Sequence, residues 1–292
     1  MDMILKLMNA SIDYIDKHLT TDMTLMDISK FVGLPAQHYR NLFIFLSGMS
    51  LSEYIKKRKL YFANKDLLNK ASVTHVATKY GYSVDGFSRA FKAWSGYLPS
   101  EIYKHQILIS FPKLSFSIHI KGGNMMKTRI VEQPQFNIVG VQKRVSMQFE
   151  GVNHEIVDLA NSITDSQRQE MHDLQNLEPK EIINVSYQAD ENFIKDEGNL
   201  THMIGVLTTH NHVSNQLDII TIDASKWIVF ENSGEFPKVL QDTYAKIYSE
   251  WLPDTEYQLA DIPMFSFTRF KDTHQKSAYS EIWVAVRNAS HN

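Results

Sequence analysis

Residues 81–104 read GYSVDGFSRAFKAWSGYLPSEIYK, and their spacing decides how the first third of the chain folds. At helical spacing from Asp85, Phe87, Ala90, Phe91 and Trp94 fall on one side, and Asp85, Ser88, Arg89 and Lys92 on the other. One face is suited to burial and the other to a polar partner. An ordinary surface helix has the same pattern, so the residues in front of it carry the distinction. Residues 73–79 make a short helical pattern, Gly81 interrupts it, and Ser83 is a good N-cap for the helix that follows. Two short helices joined by a tight turn are a helix-turn-helix.

Working back from that stretch, the unit occurs twice. Residues 4–18 carry one apolar stripe through Ile4, Leu7, Met8, Ile12 and Ile15. Thr24 is placed to cap a short helix that ends at Gly33, and Pro35 is expected at the first position of the next. That helix, over 35–46, turns Tyr39, Leu42, Phe43 and Leu46 inward and Gln37, Arg40 and Asn41 outward. Between the copies, residues 51–69 predict a long helix of roughly 28 Å, near the ~34 Å of one DNA turn.

The run Ala77, Gly81, Tyr82, then Phe87, Arg89, Phe91, Lys92, then Gly96, Pro99, Ser100, Tyr103 resembles the second helix-turn-helix of the AraC/XylS family of transcription regulators. Between Gly81 and Phe87 this chain is one residue shorter than that family usually is. The resemblance extends over roughly residues 7–105, including Arg58 and Lys59 on the connecting helix. It implies double-stranded DNA at promoter sites as one partner and RNA polymerase as another. Side-chain chemistry then ranks the two readers. Arg forks onto guanine, and Gln or Asn onto adenine, so Gln37, Arg40 and Asn41 of the first copy are expected to specify bases. Asp85, Ser88 and Arg89 of the second are expected mainly to position the protein. Lys57 and Lys92, like Lys56 and Lys59, suit phosphates, although each is equally compatible with a solvated face.

Charge agrees with this division. Residues 1–110 hold 14 Lys+Arg and 9 Asp+Glu, a net of +5, whereas the rest hold 16 and 24, a net of −8. A modestly basic front suits phosphate contact, and an acidic remainder argues against nucleic acid there. With Cys at 0, disulfides and thiolate metal sites are excluded. No apolar run approaches a membrane span, and the acidic residues Asp2, Asp13 and Asp16 do not suit a signal peptide. A cytoplasmic protein with no membrane partner and no cofactor is expected.

Residues 107–120 alternate Leu114, Phe116, Ile118 and Ile120 against Lys113, Ser115, Ser117 and His119, which predicts a strand before the break at 121–124. The expected organisation is therefore a multidomain chain. Residues 1–105 form an all-α double helix-turn-helix domain, 106–125 a connector with a strand, and 126–292 an α+β domain. In that last domain, strand patterns at 129–146, a helix at 154–175 and strands at 182–188 and 203–209 are followed by a strand at 227–232, a helix at 237–252 and strands at 264–270 and 280–286. Two strand-helix-strand-strand repeats place both helices on one face of a joined sheet, with a groove between the halves.

The stretch WIVFENSGEFPKVLQDTYAKIYSEWLP at 227–253, with SEIWVAV at 280–286, resembles the GyrI-like group of effector-binding domains. The resemblance implies a small-molecule effector, a part in multidrug or stress response, and a pocket glutamate at the position of Glu281. From the residues alone, Glu281 shares a strand face with Trp283 and Ala285, chemistry suited to a cationic or amphipathic aromatic compound. A solvated edge glutamate would give the same pattern. Tyr187, Phe230 and Phe267 are candidates for the pocket wall and equally for plain core. His202, His210 and His212 lack a third ligand at a diagnostic spacing, so no metal site is read. Some GyrI-like domains resemble hydrolases, which would make Glu281 a general base. No nucleophile motif accompanies it, and a non-enzymatic regulator is the preferred reading over a hydrolase or a protein-sequestering module.

Overall fold

The structure, a computed structural model, describes residues 2–116, 126–148, 152–190, 199–271 and 277–288. It has two compact units, one made from the described residues up to 116 and one from those after 126.

The first unit is helical: α1 (Asp2–Lys17), α2 (Leu25–Val32), α3 (Ala36–Ser47), α4 (Leu51–Leu68), α5 (Val73–Lys79), α6 (Val84–Ser95) and α7 (Pro99–His105). Local chemistry sets the boundaries. Thr24 and Asp27 form a reciprocal cap at the start of α2, and Ser50, Ser72 and Ser83 each accept a backbone N–H at the starts of α4, α5 and α6. Pro35 caps α3 instead of occupying its first turn. Gly81 turns the chain between α5 and α6 with φ +80°, a conformation that excludes most side chains.

Helix α4 serves two cores. Its first half supplies Tyr54 and Ile55, buried with Met8, Ile12, Tyr39, Leu42 and Phe43. Its second half supplies Leu60, Ala63 and Leu67 to a cluster with Val76, Ala77, Phe87, Phe91 and Ile102. The α7 residue Ile102 closes that second cluster, although no helix was expected there from the sequence.

The strand expected over 107–120 is not formed in its described part, 107–116. Side chains of the helices replace a partner strand. Asn64 donates to the Ile107 carbonyl and accepts from the Ile109 N–H, and Arg58 donates to the Phe111 carbonyl. Asn9 binds both backbone groups of Phe116. These side chains satisfy backbone groups at 107, 109, 111 and 116, while Phe116 packs against Phe43. The rest of the expected strand lies outside the described residues.

The second unit is an antiparallel sheet with helices on one face. Its elements are β1 (Lys127–Gln133), β2 (Phe136–Ser146), α8 (His154–Ser162), α9 (Asp165–Leu174), β3 (Ile183–Tyr187), β4 (Asn199–Thr208), β5 (Asp218–Ile222), β6 (Ser225–Glu235), α10 (Lys238–Lys246), β7 (Tyr257–Leu259), β8 (Phe265–Phe270) and β9 (Ser277–Asn288). The helix expected over 154–175 is two, because Thr164 caps α9 with Gln167 and so starts a new helix. Helix α10 runs on into a π-helical turn at Ile247–Trp251.

The strand order is β1-β6-β9-β8-β3-β4-β2-β5, with β7 pairing β9. The halves meet at β3 and β8. Each half sends one strand to the other: β1 crosses to pair with β6, and β5 pairs with β2. The helical face buries Val139, Leu159, Met171, Ile204 and Val206. The other face carries Trp227, Trp283, Phe265, Phe267, Tyr187 and Met203, with Leu177, Ala260 and Ile262 packed against them.

Candidate functional site

The two helix-turn-helix copies present different surfaces. In α6, Phe87 and Phe91 are buried, Asp85, Arg89 and Lys92 are exposed, and Ser88 is partly exposed. Ser83 holds the first turn by accepting the Gly86 N–H at 3.1 Å. This is the polar face that the helical spacing predicts.

Helix α3 departs from the expectation. Arg40, read as outward-facing, is only 2% exposed. The physical reason is its flanking position: Phe43 and Ile44, its i+3 and i+4 neighbours, are both buried, so the apolar stripe is wider than the four residues assigned to it. Gln37 and Asn41 are half-buried and bonded to each other, Nε2–H to Oδ1 at 3.2 Å. The copy expected to specify bases is therefore the more enclosed, and the copy expected to position is the one open to solvent.

The connecting helix is also less available than its charge suggests. Lys57 is partly exposed but pairs with Glu53 at 2.6 Å. Arg58 is buried against Asp16, and Lys59 donates to the Tyr80 carbonyl, where burial pushes its ammonium below the usual lysine range.

In the second unit, Glu281 lies on the helix-free face of β9. The register sets Glu231 on one side of it and Phe267 on the other, with Ile183 next beyond Phe267. One step along, Trp283 lies between Val229 and Phe265, its ring stacked on that of Phe265 at 5.2 Å between centroids. Trp283 donates Nε1–H to Glu281 Oε2 at 2.9 Å, and Tyr279 donates its hydroxyl to Oε1 at 2.7 Å. Alternation makes both bonds possible, since residues 279, 281 and 283 share a face.

Two further residues complete the group. Arg129 on β1 forks onto Glu281, Nη1 to Oε1 at 2.9 Å and Nη2 to Oε2 at 2.7 Å. Its guanidinium also lies 5.5 Å from the Trp283 ring centre and reaches Glu231 Oε1 at 3.1 Å. Lys127, two residues earlier, pairs with Glu231. Glu281 is thus a buried carboxylate, 5% exposed, with four donors around it. Burial and the bond to Glu281 push the Tyr279 hydroxyl up, and the bond to Glu281 is the main cause raising Arg129. Lys127 draws Glu231 below the usual carboxylate range.

Of the residues expected around Glu281, the structure brings Trp283 and Phe267 beside it. Tyr187 is on the same face but four residues along β3 from Ile183, the residue in register with Phe267, and there it bonds Gln142. Phe230 is a correction. Because Val229 and Glu231 face the site, Phe230 points to the helical side and packs edge-on against Trp251. Arg129, Tyr279, Glu231 and Lys127 were not singled out. The one signal in the sequence was the alternation of Lys127 and Arg129 on a strand, two cations on one face.

Trp227, fully buried among the same aromatics, has an indole N–H with no acceptor among the described residues. His202 lies on the helical face, bonded to Ser186 at 2.9 Å and Asn184 at 3.1 Å. Burial pushes its imidazole down to about 4, so it is neutral near pH 7 and a weak base. No cluster of three metal-ligating side chains occurs among the described residues. Nor is any helix there long and apolar enough to cross a membrane.

Residues 126–287, more than half of the chain, match the model of the GyrI-like small molecule binding domain, and residues 28–105 match a helix-turn-helix domain. The chain is 35% identical to the HTH-type transcriptional activator AarP of Providencia stuartii over 89 residues, 30% of this chain and 66% of AarP. It is 26% identical to the regulatory protein SoxS of Salmonella typhimurium over 104 residues, 35% of this chain and 96% of SoxS. Among solved structures, that of SAV2435 bound to tetraphenylphosphonium is similar at 20% identity and a TM-score of 0.41, covering 57% of this chain and 98% of that one.

Proposed function

The chain belongs to the GyrI-like small molecule binding domain family and carries an AraC-type helix-turn-helix domain ahead of the matched region, and from that membership we propose a ligand-responsive, DNA-binding transcription regulator. The first unit takes promoter DNA through Asp85, Ser88, Arg89 and Lys92 on α6. On α3 the half-buried Gln37 and Asn41, and on α4 the partly exposed Lys57, extend the contact, while Arg40 supports α3 from inside. RNA polymerase as a partner, and the cytoplasm as the place of action, belong to the same proposal.

The second unit takes a small cationic or amphipathic aromatic effector at Glu281. The observation that carries this reading is a buried carboxylate held by the Trp283 indole on the helix-free, aromatic face of the sheet. That carboxylate takes a cationic partner, as its fork with Arg129 illustrates, and aromatic faces favour cations. Phe267 and Tyr187 wall that face, and the Trp227 N–H is a donor for a polar group of the ligand. A catalytic step is not part of the proposal. Four donors occupy the lone pairs of Glu281, which disfavours its use as a general base.

Two measurements test the reading. Genomic fragments selected by the purified protein should share a motif spanning two successive major grooves, and a footprint of about five base pairs would contradict a two-reader protein. Calorimetry with cationic, neutral and anionic aromatics should favour the cations, and Glu281→Gln should remove that preference. Equal binding of all three by both proteins would leave Glu281 a structural carboxylate.

A further inference from the structure

Resting on the reading of Glu281 as the effector's counter-charge, we infer that Arg129 is a tethered occupant of the effector site, which a cationic effector must displace onto Glu231. Arg129 makes both contacts that an aromatic cation would seek there: a two-pronged ion pair with Glu281 and a place over the Trp283 ring. Its side chain is 39% exposed whereas that of Glu281 is 7% exposed, so the guanidinium lies between the carboxylate and solvent. It comes from β1, an edge strand whose only ladder is with β6 among the described residues, and an edge strand yields more easily than a central one.

The second position for the guanidinium is already in place. Nη1 reaches Glu231 Oε1 at 3.1 Å, and Glu231 and Glu281 are direct cross-strand partners on β6 and β9. A short swing exchanges one carboxylate for its neighbour, so the displaced charge is not left unpaired. The arrangement also explains how the Glu281 carboxylate is accommodated in a buried position. The chain supplies its own counter-ion, and the two glutamates, Arg129 and Lys127 together balance. Arg129 therefore sets a threshold: a neutral aromatic cannot replace it, and a cation must compete with it.

Crystal violet, an aromatic cation, and its uncharged leuco form test this with the full-length protein. If the site is open in only about 1–10% of free molecules, its apparent affinity is lowered roughly 10- to 100-fold. Arg129→Met should then tighten crystal violet by about that factor and leave the leuco form little changed. Glu231→Gln should weaken the dye several-fold in the wild type but not in the Arg129→Met background, because its effect acts through Arg129. Equal dye affinity in wild type and Arg129→Met, with Glu281→Gln still weakening both, would overturn the tethered occupant and leave the effector reading standing. No dye binding to either protein would overturn both. An equal effect of Glu231→Gln in the two backgrounds would overturn the exchange between carboxylates. Should Arg129→Met fail to fold, the Arg129 side-chain N–H resonance of labelled wild type decides: it should shift as the dye is added, and an unmoved resonance at saturating dye would overturn the inference.

Discussion

Arg58 clamps Asp16 with two nitrogens, Nε to Oδ1 at 2.9 Å and Nη2 to Oδ2, and spends the third on the Phe111 carbonyl. One guanidinium thus joins α1, α4 and the segment that follows α7. Arg is required there because only a planar fork supplies three aimed donors from one buried side chain. Arg58, one of the residues of the connecting helix that carry the resemblance, thus serves as internal scaffolding.

Arg58→Met should leave the partly buried Asp16 without its partner, at a cost of about 2–3 kcal/mol, below the ~3–5 kcal/mol of a fully buried pair. Denaturant unfolding of the full chain should show that loss in the transition of the first unit. The double variant Arg58→Met with Asp16→Leu should recover part of it. DNA contacts by Arg58 would instead predict near-normal stability with weakened binding.

On DNA, Arg89→Ala should cost about 1–3 kcal/mol and relax preference at one base position. Lys92→Ala should weaken all sequences alike and reduce the salt slope by about one unit. Arg40→Ala should act first on stability, since its side chain is internal in this conformation. Fluorescence anisotropy across a salt series, paired with thermal unfolding, separates these outcomes.

The two phenylalanines assigned to the pocket should part company. Phe230→Leu, on the helical side against Trp251, should lower stability by roughly 1 kcal/mol and leave effector affinity unchanged. Phe267→Leu, in register beside Glu281, should lower both. Calorimetry and unfolding of each variant decide, and a binding defect in Phe230→Leu would move the site to the helical face.

His202 should make the second unit sensitive to acid. Its folded value of about 4 lies below the ordinary 6.5, so between those pH values the unfolded chain binds the proton and the folded chain does not. Stability from this group is therefore intact above pH 6.5 and falls as pH drops toward 4, by about 3 kcal/mol in all. His202→Gln should flatten that part of the pH–stability curve. An unchanged slope would mean that His202 is protonated without cost.

Much of the first unit was legible because its information is local. Serine and threonine caps, a glycine with positive φ and stripes of period 3.6 act within one or two turns of chain, and they located α1 to α6 and both helix-turn-helix pairs, though not α7. The same locality misled at Arg40, where a stripe read from four apolar residues was wider once Ile44 was also buried. It misled again at 107–116, whose alternation suits a strand but whose hydrogen-bond partners are Asn9, Arg58 and Asn64, residues distant in sequence.

In the second unit, alternation by itself determined that Glu281 and Trp283 share a face, because the period of a strand is two. It could not say that Phe230 faces away from them, since the relative phase of two strands is set by their register. Nor could it say that β1 leaves its own half to pair with β6. That exchange brings Arg129 across 152 positions of sequence onto Glu281. Strand pairing between distant segments depends on the whole sheet closing over one core, and no local pattern encodes it. The chain's residues determined that a carboxylate and an indole would stand together, and only the tertiary structure decided which cation stands over them.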